Sequence, residues 1–199
     1  MKIRKTKQPK PHMRVNAGRA KGKLIECPPG EIRPMTSKVK EALFNIIGNC
    51  RGLTMLDLFT GSGNISIEAY SRGLEEADII EMDWGKKKII QNNLDHVGFK
   101  GARLIISEAI TYCRSCTKKY DFIMCDPPFR WEKKEELLRI IGERELLNNK
   151  GFLVIHLPKK EDLPEEIAGL SQYDVRKYGL NMLLFYCYTS ELDKEEQEE

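Results

Sequence analysis

The amino-acid pattern describes an α/β domain: a doubly wound, mostly parallel, seven-stranded sheet ending in an antiparallel hairpin, with a small basic hairpin extension at the N-terminus. Three observations carry this expectation. From residue 54 onward, short apolar runs alternate with amphipathic stretches, the rhythm of βα units that build a parallel sheet covered on both faces. A glycine turn, Gly61-Ser62-Gly63, stands where the first apolar run meets the first of these helices, at the position where open sheets bind nucleosides. The last two apolar runs, Tyr173–Tyr178 and Met182–Tyr188, lie too close together for a crossover helix, so they pair as a hairpin.

The elements follow in order. Residues 1–12 are rich in Lys and Pro and are expected to form a disordered basic tail. Residues 13–50 form the basic extension. Arg14 to Ile25, with two glycines and short apolar spots, suits a hairpin, and Cys27-Pro28-Pro29-Gly30 marks a turn. Lys38–Ile47 is a helix: Val39, Ala42, Leu43, Ile46 and Ile47 make one apolar stripe. Thr36 or Ser37 caps its start, and Gly48 and Gly52 close it.

The main domain, 51–189, then reads strand and helix in turn. Strands are expected at Thr54–Phe59, Ala77–Glu81, Ala102–Ile106, Tyr120–Cys125 and Phe152–His156. Helices are expected at Asn64–Ser71, Trp84–Val97, Glu108–Cys116 and Lys133–Leu147, with a short one at Asp162–Leu170 kinked near Pro164. Right-handed crossovers complete the sandwich. Residues 190–199 are an acidic tail, expected to be disordered.

Charge is unevenly placed. Residues 1–25 hold nine basic side chains and no acid, whereas 190–199 hold six acids and one lysine. The tail's net of −5 leaves +8 on the rest of the chain, against +3 for the whole. A basic arm on a compact domain suits a polyanion partner. Arg14, Arg19, Lys21, Lys23 and Arg130 are candidates for phosphate contacts. No apolar run approaches the roughly 20 residues that span a bilayer, and the basic start leads into no apolar signal core, so a cytoplasmic location without a membrane partner is expected. The six cysteines are expected as thiols. Cys113-x-x-Cys116 lacks a second pair and the histidines are scattered, so no metal site is expected.

The chemistry concentrates at strand ends. Asp126-Pro127-Pro128-Phe129 follows a buried strand, and the prolines make a rigid turn that cannot extend a ladder. A carboxylate, a proline carbonyl and a flat aromatic face together suit a planar group carrying an –NH2, such as an extruded base. Trp131 either widens that platform or packs the next helix. At the other strand tips, Gly61-Ser62-Gly63 lets the backbone approach a ligand closely. It matches neither the Walker A pattern nor Gly-x-Gly-x-x-Gly. Asp57, inside an apolar strand, fixes the loop or accepts from an ammonium group. Glu81 ends the second strand, where an acid takes both ribose hydroxyls. Asp83 caps the next helix, and Glu108 either receives an adenine amine or caps a helix.

These residues carry a family resemblance. Asp57-Leu-Phe-Thr-Gly-Ser-Gly63, Glu81 and Asp126-Pro-Pro-Phe129 resemble the motifs of S-adenosylmethionine-dependent amino-methyltransferases. Arg14–Leu24 and Arg33-Pro-Met-Thr-Ser-Lys-Val-Lys-Glu-Ala-Leu-Phe-Asn45 narrow the likeness to the RsmD family, bacterial methyltransferases of the exocyclic N2 of one guanine in small-subunit ribosomal RNA. It spans Arg14 to Tyr188. Met35 stands where that family usually has Thr, Glu108 where an Asp is common, and Asn16-Ala17-Gly18 where a Gly-Gly pair is usual. The resemblance implies a Rossmann-like methyltransferase with S-adenosylmethionine as cofactor and 16S ribosomal RNA as partner, in the assembled 30S particle. It implies that Gly61, Ser62 and Gly63 cradle the methionine part with Asp57 behind them. Phe59 and Met82 belong to the same cofactor set, Glu81 holds the ribose, and Glu108 and Ala109 border the adenine. Asp126, Pro127 and Phe129 are the implied catalytic set. Two other readings stay open: a DNA adenine or cytosine amino-methyltransferase, and a catalytically idle RNA-binding assembly factor. Glycine spacing disfavours a nicotinamide oxidoreductase.

Overall fold

The computed structural model describes residues 12–28 and 35–192. The expected tail over 1–11, the end of the turn at Pro29-Gly30, the Arg33-Pro34 motif and the acidic residues 193–199 lie outside these. His12 already belongs to a strand. A two-stranded ribbon pairs β1 (His12–Arg14) with β2 (Leu24–Glu26), Met13 opposite Ile25. Helix α1 (Ser37–Ile47) follows, capped by the Thr36 hydroxyl, which accepts from Val39 N–H at 3.4 Å. Gly48, at φ 75°, ends it.

The main sheet alternates β3 (Thr54–Asp57), α2 (Asn64–Ser71), β4 (Glu76–Glu81), a 3-10 turn (Trp84–Lys86) running into α3 (Lys87–Val97), β5 (Ala102–Ile106), α4 (Ala109–Ser115), β6 (Tyr120–Cys125), α5 (Lys134–Glu143) and β7 (Leu147–Pro158). Three antiparallel strands complete it: β8 (Glu166–Ile167), β9 (Leu170–Tyr178) and β10 (Asn181–Tyr188). The spatial order is β5-β4-β3-β6-β7-β10-β9-β8, parallel from β5 through β7. Strand order reverses between β3 and β6, so their carboxyl ends diverge into a crevice. Alternate residues along the central strands feed two cores. Met55, Ile79, Phe122 and Val154 join α1–α3 on one face, while Leu56, Ile80, Ile123 and Leu153 join α4 and α5 on the other. Among the described residues no helix is long and apolar enough to cross a membrane.

Two local expectations are corrected. Asp162–Leu170 is no helix. Ala168 and Gly169 have φ of 50° and 80°, the pair of positive values a two-residue hairpin turn needs, and Ile167 faces Leu170 across it. The sheet therefore gains an eighth strand. The 3-to-4 spacing of Leu163, Ile167 and Leu170 imitated a helix, but Ile167 and Leu170 reach the core from two adjacent strands, β8 and the start of β9. The buried face of α1 is also turned from the expected stripe: Lys40 and Phe44 point inward and Ile46 is exposed.

The rotation has a cause. Lys40 Nζ donates to Glu68 at 3.0 Å, Asn64 Oδ1 at 2.8 Å and the Arg14 carbonyl at 3.0 Å. Glu68, on α2, also receives the N–H groups of Asn16 and Ala17 and the Arg72 guanidinium. This satisfied buried pair locks the ribbon and α1 onto α2. Gly18 seats the ribbon further: at φ 80°, a Cβ there would meet the Ser71 carbonyl oxygen at 1.8 Å. Residues 13–28 and 35–50 thus share the core of the main domain, through Val15, Ile25, Met35 and Leu43.

Candidate active site

The crevice over β3 and β6 opens into a cavity of about 1030 Å³. Phe59, Gly61, Ser62, Glu81, Met82, Glu108, Ala109, Asp126, Pro127, Phe129 and Arg130 all line it. Asp57 lies behind the wall, fully buried, and Gly63 is one step back at the start of α2. Gly61 and Gly63 have φ of 59° and 82°, and the Gly63 N–H closes a tight turn on the Thr60 carbonyl.

Each acid is held by its own neighbours. Asp57 accepts from the Ser66 hydroxyl at 2.6 Å. Burial pushes its pKa up from 3.8 to about 6; Ser66 pulls it down and the Asp126 charge raises it further. Thr60 Oγ1 sits close enough to lower that value slightly, yet it is buried without a hydrogen bond of normal geometry. Glu81 accepts from Gly61 N–H at 3.2 Å and Asp83 N–H at 2.9 Å, and pairs with Lys86 at 3.2 Å. Asp83 caps the 3-10 turn through Gly85 N–H, as expected. Glu108 caps α4, receiving Thr111 N–H at 2.8 Å through Oε2. The capping reading of Glu108 is therefore realised.

Asp57 supplies a pH prediction. The folded state holds this proton more tightly than the unfolded chain does. Raising pH from about 4 to about 6 therefore removes stability, up to roughly 3 kcal/mol. Chemical denaturation across that window checks this, and Asp57→Asn flattens the Asp57 contribution.

At the tip of β6, Asp126 Oδ1 lies 2.7 Å from His156 Nδ1. No other side-chain hydrogen bond to Asp126 occurs among the described residues, and Asp126 lines the cavity. Pro128's carbonyl accepts from Trp131 N–H at 2.8 Å, while Pro127's is left unbonded among those residues. Phe129 is 38% exposed at the rim, its ring edge-on to His156 at 5.5 Å. Trp131 packs edge-to-face on Phe59 at 5.0 Å, so it links the two halves of the site as a packing residue. Lys134, buried, donates to the carbonyls of Phe129 and Trp131 and pairs with Glu161 at 2.6 Å, which fixes the loop.

The structure disperses the expected phosphate contacts. Arg130 lies at the cavity rim. Arg14, Arg19, Lys21 and Lys23 sit on the exposed ribbon. Arg19 is occupied internally: it donates to the Tyr70 and Leu74 carbonyls and stacks on the Tyr70 ring at 3.8 Å. Lys23 donates to the His96 carbonyl and Arg14 to that of Gly22. All six cysteines are buried thiols. Burial drives the Cys113 thiol far above its usual range.

Four residues here escaped sequence reasoning: His156, Lys134, Lys86 and Asn64. His156 left one trace, a polar residue late in an otherwise apolar strand.

A sulfonium nucleoside fits these walls. Asp126 and Glu81 line the cavity and Asp57 lies behind its wall, a set of carboxylates that suits a cationic ligand. Fold and site define the class of nucleoside-cofactor methyltransferases with a Rossmann-like sheet, which use S-adenosylmethionine. The family model described as "Conserved hypothetical protein 95" matches residues 13–187, and the chain belongs to that family, the RsmD methyltransferases. Among relatives, the Putative rRNA methyltransferase YlbH of Bacillus subtilis is 34% identical over 87% of this chain and 98% of its own length. The Ribosomal RNA small subunit methyltransferase D of Escherichia coli is 29% identical over 84% of this chain and 85% of its own. The solved structure of the Putative methyltransferase yhhF from Escherichia coli superposes with a TM-score of 0.78 at 26% identity, covering 89% of this chain and 98% of that one.

Proposed function

We propose that this chain methylates the exocyclic N2 of a guanine in 16S ribosomal RNA, acting on the assembled small subunit in the cytoplasm. The observation that carries the reading is the trio at the β6 tip: the Asp126 carboxylate, the Pro127 carbonyl and the half-open Phe129 ring line one cavity with Glu81. Bound S-adenosylmethionine supplies an activated methyl group. Glu81 would hold its ribose, Gly61 and Ser62 its methionine end, and Glu108 Oε1 with Ala109 its adenine edge.

The protein's task is alignment. A guanine amine is a weak nucleophile because its lone pair is delocalised into the ring. Two acceptors beneath the amine favour a pyramidal nitrogen and expose that pair. Their fixed positions supply electrostatic help without reorganisation. Phe129 stacks the base in the required plane. Residues 13–28 and Arg130 form the RNA-facing side, with Arg14, Lys21 and Lys23 as phosphate contacts that position without reading sequence.

Phe129→Ala is expected to weaken RNA binding by about 1–3 kcal/mol, and Phe129→Trp by less. Titration of each variant with small-subunit RNA checks this, and an alanine variant that binds better than tryptophan argues against stacking. The substrate itself is tested by mass spectrometry of ribosomal RNA from cells with and without the gene. Loss of one N2-methylguanine is expected; an unchanged 16S pattern sinks the reading. Parallel assays on naked 16S RNA and on 30S particles decide which form is used.

A further inference from the structure

We propose that His156 is a positioning residue for methyl transfer: it clamps one carboxylate oxygen of Asp126 so that the other faces the substrate amine, and its ring braces Phe129. The identity of the amine rests on the guanine reading above; the clamp does not.

The fold builds this contact. β6 and β7 run parallel with Cys125 beside Ile155, which puts residues 126 and 156 at adjacent strand ends. His156 is buried, and both ring nitrogens are engaged: Nδ1 with Asp126 Oδ1 at 2.7 Å, Nε2 with Asn181 Oδ1 at 3.0 Å. The Asn181 amide nitrogen points to the Tyr178 carbonyl at 3.5 Å, which leaves its oxygen for the ring. With both partners acting as acceptors the ring needs two N–H groups, so the proposed clamp takes His156 as an imidazolium. The groups facing it are Asp126 from β6, Asn181 from β10 and the Phe129 ring from the following loop; Asp126 alone among them is charged. Burial alone lowers the His156 pKa, but the Asp126 hydrogen bond and charge, with Asn181, outweigh it and raise it above 6.5.

A clamp of this kind makes Asp126 an oriented acceptor and leaves no vacant nitrogen on His156 to take a proton. Activity should therefore fall as pH rises through the His156 pKa, because the donor to Asp126 is lost. A neutral histidine base would show the opposite limb.

The test uses the full chain. In 15N-histidine NMR, His156 should titrate above the ordinary histidine value in wild type and fall by about one unit or more in Asp126→Asn. A titration insensitive to Asp126 overturns the clamp. In kinetics, His156→Phe should lower kcat on the order of 10²-fold with little change in the KM for cofactor, as expected for lost alignment. His156→Asn, which keeps a donor near the Nδ1 position, should recover most of kcat and lose the alkaline limb. Equal kcat in His156→Phe, or an alkaline limb that persists in His156→Asn, also overturns it. Circular dichroism of both variants separates misfolding from loss of alignment. Wild-type protein inactive on ribosomal RNA would sink the substrate reading, while the NMR arm still decides the clamp.

Discussion

Asp126→Ala is expected to lower kcat on the order of 10²-fold or more while S-adenosylmethionine binding stays within a few-fold. The asymmetry follows from where the residue stands. Asp126 lines the cavity at the β6 tip, whereas the cofactor wall is built from the loop after β3 and the ends of β4 and β5. On the proposed reading, removing the carboxylate deletes an acceptor for the substrate amine. It also orphans His156 Nδ1 in a buried place, with an expected loss of roughly 1–3 kcal/mol in stability. Calorimetric titration with S-adenosylmethionine, single-turnover methyl transfer and denaturant unfolding measure the three effects separately. A variant that turns over like wild type removes Asp126 from the mechanism.

Lys40→Met is expected to destabilise the fold by about 3–5 kcal/mol, the usual penalty for breaking a buried pair by deleting one partner. Lys40 and Glu68 are both fully buried, and every donor of the ammonium group has an acceptor. Burial pulls the Lys40 pKa down and Glu68 partly restores it, the signature of a charge kept inside by its partner. Methionine leaves the Glu68 carboxylate with Arg72 and two backbone N–H groups but one cation short. In a chain of this size the melting temperature should drop by roughly 10 °C. Cofactor affinity should fall as well, because Lys40 also steadies Asn64 on the cavity wall. Lys40→Met combined with Glu68→Gln should lose less than the sum of the single variants. A single variant within about 0.5 kcal/mol of wild type would show the pair to be dispensable.

The βα rhythm, the glycine turn and the acids at the strand tips are local features, and local features are legible along a chain. Alternation along β3 to β7 follows from a sheet covered on both faces, and no distant contact is needed to see it. That Asp126 follows a buried strand, and that Glu81 ends another, placed both near one end of the sheet before any topology was known. Glu108 was ambiguous because one side chain at a helix start serves a cap and a ligand with the same oxygen chemistry. The stripe on α1 misled because hydrophobic periodicity scores Lys40 as a surface residue, and only Glu68, 28 positions away, makes burial of the ammonium group tolerable. At Ala168-Gly169, apolar spacing of three to four residues fits either a helix or two adjacent strands across a tight turn.

Sequence alone thus determined the doubly wound sheet, the glycine turn after β3 and the Asp-Pro-Pro-Phe turn at the β6 tip, since each is written within a few consecutive residues. The tertiary structure decided the partners: His156 under Asp126, Lys134 under Phe129 and Trp131, Lys86 on Glu81, and Arg19 over the Tyr70 ring. Those pairings depend on strand register and helix rotation, and both are fixed by packing across the sheet.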